Sequence, residues 1–120
     1  MDKDVKKNLI DVGFMAAARG WREETECIFA GVEKILPESP APCLGRSLVQ
    51  LTMKEYGKAI EILEKGRDQF KESPEIKAFL GLAYHLAGEQ AKVAATLMPL
   101  AEQKSPVGRM ATSILNEKGA

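Results

Sequence analysis

Few side chains in this chain are suited to nucleophilic, acid–base or metal chemistry: there is one histidine, His85, and there are two cysteines, Cys27 and Cys43. A hydrolytic site around His85 would need a positioned nucleophile and an orienting partner. Its helical neighbours Ala78, Leu82, Leu86 and Glu89 supply one carboxylate and no nucleophile. The spacing therefore gives His85 a non-catalytic place, at the rim of a binding surface where its charge would respond to pH. Cys27 and Cys43 have no CxxC spacing and no accompanying histidines, so no tetrahedral metal set can be completed. Both are expected to be small buried hydrophobes. Glu23, Glu24, Glu26, Glu61 and Glu64 stand among basic residues and read as solvated helix carboxylates. No GxGxxG follows a predicted strand and no GxxxxGKS or GxxxxGKT occurs, so nothing would cradle a phosphate. Trp21, beside Gly20, is expected to pack between helices. Neither an enzyme, nor a cofactor, nor a metal is implied.

Composition narrows the partners. The 17 basic residues cancel the 17 acidic ones among 120. No net field would draw the protein to nucleic acid or to an anionic membrane. No apolar run approaches the roughly 18–20 residues that cross a bilayer, and the charged start lacks a signal-peptide pattern. The expectation is a soluble cytoplasmic protein.

What must position a binding surface is visible in a period of 34 residues. Gly13, Ser47 and Gly81 form one column; Thr25, Ala59 and Val93 a second; Phe29, Leu63 and Leu97 a third; Val32, Gly66 and Leu100 a fourth. Such a period resembles that of tetratricopeptide helix pairs, each of which buries its apolar face on its neighbours. The resemblance implies an all-α solenoid in one domain, with units over about 4–37, 38–72 and 73–104 and a capping helix over about 106–118.

Local signals agree. A first helix from about Asp4 to Ala18 places Leu9, Val12, Gly13 and Ala16 on one face, and Gly20 makes the turn. A second runs from about Arg22 to Leu36 and is stopped by Pro37. Ser39-Pro40, Ser73-Pro74 and Ser105-Pro106 read as cap-and-proline helix starts. The third helix should reach about Met53, the fourth about Phe70 or Lys71, and the sixth should span about Gln90 to Gln103 with a kink at Pro99. Val107, Met110, Ala111, Ile114 and Leu115 give the last helix a single apolar stripe, with Lys118 off it.

In the tetratricopeptide pattern the first helix of each pair lines an inner groove. The resemblance puts Ile10, Phe14 and Ala17, then Leu44, Leu48 and Leu51, then Ala78, Leu82 and His85 into that groove, with Phe79 at its edge. Clamping a charged peptide terminus would need basic and amide side chains where Ile10, Phe14, Leu44 and Leu48 stand. An apolar groove suits an amphipathic helix instead. Six or seven large anchors would give on the order of 10 kcal/mol gross, against an association cost of ~4–15 kcal/mol.

The block Asp11 to Gly20, followed by Glu24, Glu26, Ile28 and Phe29 and later by Ala78 to Ala83, resembles small tetratricopeptide-like chaperones of type III secretion systems, in particular those of the needle subunit. That resemblance implies a cytoplasmic complex of this protein, a small helical co-chaperone packed on the first repeat, and the needle subunit. The amphipathic C-terminal helix of that subunit would lie in the groove, out of reach of polymerisation. Two alternatives stand beside it: a translocator chaperone of the same secretion systems, and a dimerising adaptor that uses the same surface. Arg46 and Lys54 depart from the pattern, where an apolar residue and a turn glycine are usual.

Overall fold

The computed structural model describes residues 2–117, and every regular element among them is helical. The helices are α1 (Lys3–Ala18), α2 (Arg22–Ile35), α3 (Ala41–Thr52), α4 (Tyr56–Gln69), α5 (Pro74–Ala87), α6 (Gln90–Ala101) and α7 (Pro106–Asn116). Lys118, expected near the end of α7, lies outside the described residues.

The starts are fixed by short polar side chains. Asp2 accepts the Val5 amide at 2.9 Å, Ser73 the Ile76 amide at 3.3 Å and Ser105 the Gly108 amide at 3.1 Å, each satisfying an orphan donor of a first turn. Ser39 sits one residue outside α3, where Pro40 takes the cap position, and its hydroxyl accepts from the Ala41 amide at 3.1 Å. Pro99 lies inside the last turn of α6, and the helix ends at Ala101.

The turns inside the helix pairs repeat with the same period. Gly20, Lys54 and Gly88 all adopt the left-handed backbone, with φ of 74°, 62° and 82°. Glycine takes that conformation freely, whereas Lys54 has a Cβ and is strained by about 1 kcal/mol.

Each helix packs on the next in the chain, and α1 touches α3, α3 touches α5, and α5 touches α7. The even helices α2, α4 and α6 make no contact with one another among the described residues. A row whose odd helices meet while its even helices splay is an arc with the odd helices inside. The molecule measures 43 × 29 × 22 Å along its principal axes.

All four sequence columns are buried. Phe29, Leu63 and Leu97 are fully enclosed, and the small column makes room for two of them. A Cβ on Gly13 would stand 2.7 Å from the Phe29 ring, and one on Gly81 would overlap the Leu97 side chain. Phe29 also fills the notch over Gly45 and meets Phe14 edge-on, with ring centroids 5.3 Å apart. Ser47 is tolerated in the small column because its buried hydroxyl donates to the Leu44 carbonyl at 2.8 Å.

Three expectations are corrected. Cys27 is exposed, because α2 turns its Thr25, Phe29 and Val32 stripe inward and leaves position 27 outside. Cys43 is half-buried and burial raises its thiol pKa, partly opposed by the charge of Arg46. Trp21 is exposed at the outer side of its turn, with the Arg19 guanidinium 5.3 Å from its ring centre.

Candidate functional site

The residues assigned to a groove do fall on the odd helices, which touch along the inside of the arc. They are not equally open. Ile10, Phe14, Leu48, Phe79 and Leu82 are half-buried, whereas Leu44, Leu51 and His85 are buried, the two leucines at 8% exposure. Ala17 and Ala78 are closed off as well. The open line is therefore the column Phe14, Leu48, Leu82, one side chain per helix pair and 34 residues apart. Leu44 and Leu51 have been drawn into the main core with Leu63, Leu80 and Tyr84. Those positions read as groove-lining because helical spacing carries the register of each helix but not the distance between neighbouring helices.

Leu86, 44% exposed, prolongs the strip towards α7. There Leu82, His85, Leu86, Gly88 and Glu117 surround an open cavity of about 430 Å³. His85 was expected at a rim, yet only 7% of it is exposed. Its Nε2 stands 3.0 Å from Oε2 of Glu117, the residue that follows α7. Nδ1 is buried with no partner among the described residues, so a proton there would be an unpaired buried donor. Nε2 is therefore the nitrogen that donates, and Glu117 accepts.

On its other side α5 is tied to α4. Tyr84 donates to Oε2 of Glu64 at 2.6 Å, and burial, reinforced by that bond and by the Glu64 charge, pushes its pKa up to about 12.

A second surface was missed by the sequence reading. Val12, assigned to the packed face of α1, is 45% exposed, and Val5 and Met15 beside it are 48% and 46% exposed. The register explains this. One period later Arg46 reaches back to α2, its guanidinium forking onto Glu26 at 2.8 and 2.9 Å and onto Glu33 at 2.7 and 2.9 Å. That place on each first helix thus faces the second helix of the preceding unit, and α1 has no preceding unit among the described residues. Leu80 and Ala83, two periods after Val12 and two after Met15, are fully buried. A signal was present in the letters, in a column that mixes Val12, Arg46 and Leu80.

Among the described residues no three His, Cys, Asp or Glu side chains gather as they would around a metal ion, and no helix is long and apolar enough to cross a membrane. Neither a protein-family model, nor a curated protein, nor a solved structure matches the chain.

Proposed function

We propose that the protein is a cytoplasmic type III secretion chaperone of the needle-subunit kind, which holds an amphipathic helix of that subunit along Phe14, Leu48 and Leu82 and delays its polymerisation. The observation that carries this reading is the half-open apolar column on the inner side of the arc, with no element of the described chain laid over it. A straight apolar line of that kind fits one stripe of a helix whose anchors recur at i, i+3, i+4 and i+7.

Magnitudes sharpen the reading. Only five of the ten assigned side chains are still partly open, and finishing their burial contributes roughly 1 kcal/mol each. About 5 kcal/mol gross lies at the low end of the ~4–15 kcal/mol cost of association. The strip alone gives weak binding, so a stable complex needs a second contact. The α1 face of Val5, Val12 and Met15 supplies a surface on which a small helical co-chaperone would pack. The same face supports a second reading, a self-associating adaptor, which light scattering on the purified protein distinguishes by mass.

Leu48→Glu is expected to leave helical content intact while abolishing co-purification of a co-expressed needle subunit. Capture equal to wild type would overturn the groove. Val12→Glu should reduce retention of a co-chaperone and leave the strip unaltered.

A further inference from the structure

The C-terminal end of the apolar strip holds one polar group, and the chain satisfies it with its own carboxylate. Within the cavity of about 430 Å³ the walls are Leu82 and Leu86, the backbone passes at Gly88, and His85 presents Nε2 to Glu117. The two partners differ in freedom. His85 is buried in α5 and cannot turn away, since its side chain is 6% exposed, whereas that of Glu117 is 55% exposed and follows the last helix.

We propose that Glu117 is a displaceable stopper, holding the place of a carboxylate on the docked helix, and that His85 thereby selects a helix with an acidic residue at the end that reaches α7. This inference rests on the groove reading above and adds the chemistry of the ligand's end. The selection has a physical cause. A ligand that displaces Glu117 without offering an acceptor leaves a buried N–H unpaired, which is disfavoured, whereas a carboxylate replaces one charge-assisted bond by another. Specificity of this kind comes from the penalty on the wrong ligand as much as from attraction to the right one. Nδ1 is buried and has no partner among the described residues, so the nitrogen that meets an incoming ligand is Nε2.

The test uses the full chain and two labelled amphipathic helical peptides of about 18 residues with leucines at groove spacing, one with Glu at both ends and one with Met, which offers no oxygen acceptor, at both ends, so that docking direction does not matter. Fluorescence anisotropy should show a preference for the Glu peptide that increases about tenfold in Glu117→Ala, where the internal competitor is gone. His85→Phe should erase the preference, and His85→Gln, which keeps a donor, should restore part of it. Circular dichroism of each variant reports whether it is folded. Equal preference in wild type, Glu117→Ala and His85→Phe, with both peptides bound, would overturn the stopper and leave the groove standing. Failure of every folded variant to bind either peptide would remove the groove itself, and the stopper with it.

Discussion

The two ends of the row solve the same problem differently. At the C-terminal end α7 lies against α5 and α6, burying Ala111 and Ile114 in the main core. At the N-terminal end none of the described residues gives the equivalent coverage, and α1 leaves Val5, Val12 and Met15 exposed. One register position states the contrast: Val12 is open, Arg46 bridges to two carboxylates of α2, and Leu80 is fully enclosed. A stack of amphipathic pairs always leaves a hydrophobic face at each terminus unless something caps it. Here one cap is built in, and the other face is left open by the described residues.

That contrast can be broken most sharply at the termini. Ile114→Ala should cost about 2–4 kcal/mol in urea unfolding, because it opens a cavity under the built-in cap. Val12→Ala should stay within about 0.5 kcal/mol, as expected where no neighbour is lost. Comparable losses at both places would mean that α1 is covered in solution, and mass by light scattering would then reveal a second copy.

At the middle of the series, Arg46→Met should cost about 1 kcal/mol near neutral pH, a modest value because both carboxylates are solvent-accessible. The hydrogen bond from Arg46, and secondarily its charge, holds the Glu33 carboxyl below its usual 4.5 against a smaller opposing push from burial. A depressed acid stabilises the fold fully above its unfolded value and ceases to do so as pH falls through its folded one. The difference between wild type and Arg46→Met should therefore be constant above about pH 5 and shrink below 4.5. A gap that does not narrow in acid would show that Arg46 acts through packing of its aliphatic stem.

The smallest effect belongs to the turns. Lys54→Gly should raise stability by about 0.5 kcal/mol at most, since relief of the left-handed strain only slightly exceeds the added freedom of the unfolded chain. A loss of stability would mean that the lysine side chain makes up for its backbone.

Much of the architecture was readable before any coordinates, because burial repeats with the chain. The columns headed by Gly13, Thr25, Phe29 and Val32 are buried in all three units, and helix limits fall within about two residues of those that caps and prolines imply. The candidate surface was read less completely. Phe14, Leu48 and Leu82 are partly exposed, as the groove assignment requires, but Leu44, Leu51 and His85 were assigned to the surface although packing of α1, α3 and α5 encloses them. Val12 failed in the opposite direction: helical spacing gives a residue its face but does not say whether a neighbour exists to cover it. The contact of His85 with Glu117 joins residues 32 apart through α7, and no local pattern encodes it.

The separation of α2, α4 and α6 from one another has a mechanical consequence. Bending the arc tighter or flatter breaks no contact between even helices, but it must shear the packing of α2 on α3 and of α4 on α5, where Arg46 holds Glu26 and Glu33 and Tyr84 holds Glu64. The curvature of the arc is therefore set by these joints between successive helix pairs as much as by the line where the odd helices meet.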